Sequence, residues 1–276
     1  MSRGEVDHSG DVLIPAESLG RTGVVRAAFT TRRGGVSRGR FASLNLGWGV
    51  GDEADAVSTN RRRLCERLGI APARLAEAEQ VHGTGIAVAA GIGPGEEPAI
   101  TAPAHPVPGV DALLTSRPDL WLVIYAADCV PVLIADPKTP AVAAVHAGWR
   151  GTAAGIAPAA IARMRAVFQT DPAACVVELG PAIGGCCYEV DRPVARAMEG
   201  ASWWPVAARP TGPDRWHLDL RAAVRCQLVD SGVPDDRITT VPYCTACRSD
   251  LFFSYRRDGI TGRMAACIAI RGDASR

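Results

Sequence analysis

The chain has 276 residues, with 30 Lys+Arg against 29 Asp+Glu and a formal net charge of +1, a balance that gives no electrostatic footprint for nucleic acid or an anionic membrane. A hydrophobic content of 47% is ample for the core of one large domain. The start, MSRGEVDHSG, lacks the apolar core of a signal peptide, and the best apolar run, 120–135, is interrupted by Asp128 and shorter than the roughly 20 residues that span a bilayer. Nine cysteines, an odd number, fit reduced thiols better than a disulfide framework. The expectation is a cytoplasmic protein, favoured as a monomer, whose partners are small molecules and not nucleic acid or membrane.

Residues 1–10 are polar and have nothing to bury, so they read as a loose lead-in to one domain over 11–276. A short strand is expected at 24–31, then a turn-rich stretch, RRGGVSRGRFASLNLG, whose Gly34 and Gly35 permit backbone geometry closed to other residues. Charged and apolar residues alternate at helical spacing over 55–68, and Gly69 stops that helix. A strand is expected from Gln80 through 87–90, followed by a Gly/Pro-rich connection at 91–109. Next comes the central signal: 121–135 is almost continuously apolar, DPKT at 136–139 is turn chemistry, and 141–145 is apolar again. That pattern predicts a hairpin with Ala135 facing Pro140, which sets Cys129 opposite His146.

The stretch after GWRG leads into a helix whose start is left open by Pro158, because proline is tolerated only in a first turn. A buried strand follows at 175–179, ended by the turn GPAIGG. A short helix is expected at 194–198 and a longer one at 220–229, with Asp219 as its N-cap. Strands at 238–241 and 264–270 complete the sheet content. Strands and helices are interspersed without regular βαβ alternation, so the class is α+β, or mixed α/β with a largely antiparallel component.

Opposed residues on one face of a hairpin have Cβ atoms about 4.5–5.5 Å apart, so Cys129 and His146 either share a metal ion or form a nucleophile–base pair. His82, in EQVHGTG, is the third candidate ligand among only five histidines. Two imidazoles and one thiolate leave a zinc ion one open position, as a catalytic site requires, and the metal would hold Cys129 as thiolate. Arg150, in HAGWRG just ahead of the expected helix, suits a phosphate or carboxylate. Cys244 and Cys247 form a C-x-x-C, but no second pair at metal-binding spacing appears, so packing is the expected role. Cys186 and Cys187 are adjacent and would point to opposite faces in extended backbone. Arg256 and Arg257 read as a charged turn, and Trp203 and Trp204 have no evident role.

These residues also resemble a family. FTTRRGGVS at 29–37, SLNLG at 43–47, NRRRL at 60–64, QVHG at 80–83, ADCVPVLIAD at 127–136, AVHAGWRGT at 144–152, GPAIGGCCYEV at 180–190, CT at 244–245 and FFSYRRDGITGRMA at 252–265 are similar to the YfiH-type laccase-domain (polyphenol oxidase) family, also called peptidoglycan editing factor. The resemblance implies a single α+β domain with sandwich-like mixed sheets and flanking helices, and a zinc ion on His82, Cys129 and His146. It implies purine nucleoside phosphorylase activity on adenosine, inosine, guanosine and methylthioadenosine, adenosine deamination, and a link to peptidoglycan precursor editing. It also matches Arg32, Asn45 and Arg150 to the family's polar pocket.

The oxidase name fits the composition poorly. A multicopper laccase spreads many imidazoles over several centres, often as His-x-His pairs, and this chain has five histidines and no such pair. The three-ligand set would still accept Cu2+ in vitro. In the leading reading, zinc organises deamination with Asp128 moving protons, while Arg150 and Arg32 set phosphate against C1′ of the ribose. Two rivals stay open: an amide hydrolase with Cys129 as nucleophile and His146 as base, acting on a peptide or muropeptide, and a non-catalytic metal- or nucleoside-binding module.

Overall fold

The computed structural model describes residues 11–89 and 106–272. The lead-in expected at 1–10 and most of the connection expected at 91–109 lie outside the described residues. Two large sheets and one small one organise the rest. A five-stranded sheet runs in the order Leu13–Pro15, Val25–Thr30, Met264–Ile270, Trp121–Ala126 and Leu75–Glu77. A six-stranded sheet runs Ile238–Thr240, Val176–Leu179, Val130–Asp136, Ala141–Ala147, Ala112–Thr115 and Ile86–Val88. Both mix parallel and antiparallel pairs, and a small antiparallel sheet carries Glu189–Asp191, Arg215–Leu218 and Ala208–Gly212. The expected α+β class, in one domain with sandwich-like sheets, is what the chain adopts.

Side-chain alternation shows how the layers stack. Along Val130–Asp136 the even-numbered Val130, Val132 and Ile134 enter a core with the helices Ile156–Phe168 and Leu220–Asp230, whereas Leu133 and Ala135 enter a core with Phe29, Leu122, Ile124 and Ile268 of the other sheet. The far face of the five-stranded sheet, with Trp121, Val123 and Cys267, is covered by Leu64 and Cys65 of the helix Ala54–Leu68. The order is therefore helix, sheet, sheet, helices. A sheet with both faces covered needs apolar residues at every position, and this is why 121–135 reads as nearly unbroken hydrophobicity and not as alternation. Trp203 belongs to the helix-side core, and Trp204 packs on Trp216 at 6.2 Å between ring centroids.

The central hairpin forms in a different register. Ala135 pairs with Val142 and Asp136 with Ala141, so Pro131 and not Cys129 lies opposite His146. Asp136 is the last strand residue because its Oδ1 accepts from Lys138 N and Thr139 N and closes the turn after it. The shift is two residues, one full period of a strand, so Cys129 keeps the face of His146. The strand expected from Gln80 forms only over Ile86–Val88. Residues 81–83 give their backbone N–H groups to the Asp111 carboxylate in place of a neighbouring strand, and His82 takes φ 61, which no strand accommodates. The helix after GWRG is divided into Trp149–Ala153 and Ile156–Phe168 at Gly155, φ 77, with Pro158 in the first turn of the second piece. Cys186 and Cys187 lie in a turn closed by Cys187 N and Tyr188 N on Gly184 O. Their side chains therefore do not part to opposite faces; both sulfurs meet those of Cys244 and Cys247.

The inter-sheet core holds the two large sheets together, so Leu133→Ala, at a fully buried position, is expected to cost about 2–5 kcal/mol in urea unfolding. Val206→Ala, at a position 69% exposed, is expected to change stability by no more than about 0.5 kcal/mol.

Candidate metal centre and cavity

Ala126 ends a strand of one large sheet and Val130 begins a strand of the other. The chain changes layer through Ala127, Asp128 and Cys129, a reversal sharp enough to put Asp128 at φ 100. Cys129 therefore sits at the open end of the sandwich, where the two sheets part. His146 comes to the same place from the next strand, and His82 from the loop ahead of Ile86–Val88. Their ligand atoms all lie within 4.8 Å of one another, and the two imidazole rings meet edge to face at 4.8 Å between centroids. Gly148 leaves room for this meeting: a Cβ there would stand 3.0 Å from both Cys129 Sγ and His82 Cδ2.

Asp111 holds the group in place. Its Oδ1 accepts from His82 N at 2.9 Å and faces His146 Nδ1 at 2.8 Å, and its Oδ2 accepts from Val81 N at 3.2 Å and Gly83 N at 2.7 Å. The His146 amide closes a second bond, to Asp111 O at 2.8 Å. With Nδ1 donating to the carboxylate, Nε2 of His146 is left for Cys129 and any shared ion. Burial alone would push the Cys129 thiol up, but the facing His146 and hydrogen bonds from both imidazoles outweigh it and bring the thiol down to about 6. Burial likewise opposes the charge on His146, and the Cys129 thiolate with Asp111 overcomes it, raising the imidazole to about 9. Two imidazole nitrogens and a thiolate suit Zn2+ and also Cu2+, and an imidazole oriented by a carboxylate is the usual support for such a ligand. The residues present therefore fit a bound metal.

The three side chains line a cavity of about 770 Å³, within the range of small-molecule sites. Arg150 reaches it with its guanidinium 4.2 Å over the Trp149 ring. Asp128 also lines it, and its Oδ1 accepts from Thr245 Oγ1 at 2.6 Å while its Oδ2 accepts from Arg256 N at 2.7 Å. Asn45 is fully buried and works from behind: its Oδ1 accepts from Gly47 N and Arg263 N, which places two lining residues. Arg32 points elsewhere. Its guanidinium donates to Ala42 O and Ser249 O and lies 4.5 Å over the Phe253 ring, so it anchors a loop and its position gives no support to the phosphate contact expected of it.

Sequence reasoning did not single out several lining residues. Arg263 is the plainest omission, and Tyr188, Tyr125 and the ion pair of Arg61 with Glu77 are others. Tyr125 Oη donates to Glu77 at 2.8 Å and its backbone pairs with the Gln80 amide, which fixes the wall leading to His82. Arg61, Tyr188 and Arg263 fall in the motif blocks NRRRL, GPAIGGCCYEV and FFSYRRDGITGRMA, whereas Tyr125 and Glu77 fall in none of them.

Relatives of known sequence and structure share this frame. Residues 26–271 match the family model described as multi-copper polyphenol oxidoreductase laccase. The chain is 43% identical over 250 residues to the purine nucleoside phosphorylase YlmD of Geobacillus stearothermophilus, covering 89% of this chain and 90% of that one. It is also 43% identical over 242 residues to a purine nucleoside phosphorylase of Streptomyces coelicolor, covering 87% and 93%. Among solved structures, the hypothetical protein YfiH of Bacillus licheniformis superposes with a TM-score of 0.87 at 34% identity, over 96% of this chain and 98% of that one. The YlmD structure superposes with a TM-score of 0.83 at 42% identity, over 90% and 92%. The chain belongs to the multi-copper polyphenol oxidoreductase laccase family, and YfiH and YlmD share its fold.

Proposed function

We propose that the protein is a zinc-dependent purine nucleoside phosphorylase that acts on adenosine, inosine, guanosine and methylthioadenosine and also deaminates adenosine. The observation that carries this reading is the convergence of His82, Cys129 and His146 in a cavity that also receives Arg150 and Arg263, in a chain whose relatives are named purine nucleoside phosphorylases. The absence of a membrane-spanning length in any described helix and nine unpaired thiols suit a cytoplasmic enzyme of small molecules.

His82, Cys129 and His146 hold the zinc, which when bound supplies a Lewis acid at the cavity floor. Arg150 serves the phosphate. Among the described residues no protein oxygen claims its N–H groups, and stacking on Trp149 orients the guanidinium for an anion. In phosphorolysis a phosphate oxygen bonds to C1′ as the C1′–N9 bond breaks, and the purine leaves with a proton on nitrogen. Tyr188 and Tyr125 give the base aromatic walls. In deamination Asp128 accepts and returns the proton as water adds at C6 and ammonia departs; each of its oxygens has a lone pair beyond the bonds to Thr245 and Arg256.

A second reading has one observation in its favour: Cys129, His146 and Asp111 stand in the order nucleophile, base, orienting carboxylate. It makes the protein an amide hydrolase with a role in peptidoglycan precursor editing. Stoichiometric zinc in purified protein favours the phosphorylase, and metal-free protein alkylated at Cys129 favours the hydrolase.

The deciding assay incubates adenosine with and without phosphate and separates the products. Adenine with ribose 1-phosphate is expected only when phosphate is present, and inosine in both samples; no turnover in either would sink the proposal. Arg150→Ala is expected to raise the phosphate KM at least about tenfold, the effect of losing roughly 1.4 kcal/mol of binding, with a smaller effect on the adenosine KM. An unchanged phosphate KM removes Arg150 from the phosphate site.

Zinc affinity should follow pH with a definite sign. His146 is raised to about 9 and Cys129 lowered to about 6, so near neutrality the metal-free pair is imidazolium and thiolate, and the metal must expel the His146 proton. Affinity is expected to rise about tenfold per pH unit between pH 6 and 9 and to level off above. Asp111→Asn, which cannot accept from the imidazole and three amides together, is expected to weaken zinc binding about 10–100-fold. Competition titration with a chromophoric chelator measures both; affinity independent of pH across that window would refute the protonation assignment.

A further inference from the structure

Cys186, Cys187, Cys244 and Cys247 bring four sulfur atoms within 4.8 Å of one another. Cys247 Sγ stands 3.7 Å from Cys186 Sγ and 3.4 Å from Cys187 Sγ. A disulfide holds its sulfurs at about 2.05 Å, whereas sulfurs at tetrahedral corners around zinc, with Zn–S of about 2.3 Å, are separated by about 3.8 Å. The spacing is that of a shared cation. We propose that these four cysteines form a second, structural metal site, a closed tetrathiolate for Zn2+, separate from the His82–Cys129–His146 centre.

The surroundings are built for it. A turn at 184–188 directs both adjacent cysteines to one side, through Cys187 N and Tyr188 N on Gly184 O. The opposing turn at 244–248 closes through Arg248 N on Cys244 O, and Thr245 N bonds to Ala182 O across the two segments. Gly184 N donates to Cys244 Sγ at 3.2 Å, the kind of bond that steadies a ligating thiolate. Gly184 itself lies close under the group, since a Cβ there would meet Cys186 Sγ and an Arg221 nitrogen, each at 3.2 Å. Arg221 and Arg257 donate to the carbonyls of Tyr243, Thr245 and Ala246, so positive charge backs a cluster that would carry a net charge of about −2. Four soft sulfur ligands with no open position select zinc over the hard cations and mark a structural site.

Such a staple closes a loop of nearly 60 residues and reaches the candidate metal centre. Ile183 N donates to Asp128 O and Thr245 Oγ1 to Asp128 Oδ1, so both stapled turns grip the residue before Cys129. Tyr188, the next residue after the cysteine pair, lines the cavity.

The test uses full-length Cys129→Ser protein, which keeps the four-cysteine cluster while disabling the other centre. Loaded with Co2+ alone, it is expected to take up one equivalent, with sulfur-to-cobalt charge transfer and the ligand-field bands of a four-sulfur tetrahedral ion. The same protein carrying Zn2+ is expected to protect all four cysteines from alkylation, and removal of the metal by a chelator to abolish that protection. The Cys186→Ser/Cys247→Ser pair in the same background should lose the cobalt spectrum. The proposal is overturned if Cys129→Ser protein shows no sulfur-to-cobalt charge transfer, if peptide mapping of freshly purified protein finds disulfides among the four cysteines, or if the cobalt spectrum persists without Cys186 and Cys247. The spectrum of Cys129→Ser protein does not depend on the folding of the double variant.

Discussion

One carboxylate organises the cavity floor. Asp111 is completely buried, and a buried carboxylate persists only when its lone pairs are filled. Here three consecutive amides and one imidazole fill them. The same bonds that make burial tolerable also bend residues 81–83 out of a strand, hold His82 at positive φ and fix the tautomer of His146. Removing the carboxylate would leave three amides and one imidazole without this acceptor and free the two histidines to part. The convergence of the ligand set thus follows from satisfying a single buried charge.

The second constraint is topological. A chain that passes from one packed sheet directly into the other must turn at the rim of the sandwich, and the turn here is the three residues that include Asp128 and Cys129. Rim positions are open to solvent on one side and backed by core on the other, which is where a small molecule finds both room and rigid walls. The large apolar content of 121–135 therefore has a functional consequence: the strands on both sides of Cys129 are locked by burial on two faces, so the thiol has little freedom to move away from His146.

Legibility in the sequence followed the range of the interactions. Two nearly unbroken apolar runs around turn chemistry mark the hairpin, and because a two-residue register shift preserves the face, Cys129 and His146 come together although the observed pairing differs. His82 stood out by residue type in a conspicuous motif. Asp111 did not, because nothing local separates it from an ordinary loop aspartate; its partners lie 28 to 35 residues away. The same holds for Arg263 and for the four cysteines. Adjacent cysteines at 186–187 carry no local sign that they leave extended backbone, and only the turn on Gly184, a matter of tertiary context, points both thiols at a C-x-x-C some 60 residues on. Arg32 shows the reverse case, a basic residue in a glycine-rich motif whose charge is absorbed by loop carbonyls.

The family description and the names of the relatives point to different chemistries, and the geometry bears on the choice. Multicopper oxidation passes electrons among several metal centres, each needing its own imidazoles. In this chain the described histidines that converge are His82 and His146, on one centre, and the remaining ligand-rich cluster is all sulfur. A single three-ligand centre beside cationic side chains is instead suited to polarising one bond of an anionic or heteroaromatic substrate. Under the proposed function, a divalent cation on Cys129 would offset the negative charge of the thiolate and the carboxylate and leave Arg150 and Arg263, which line the same cavity, for the substrate's phosphate. Charge balance, more than the count of ligands, is what the proposed transfer to phosphate draws from this cavity.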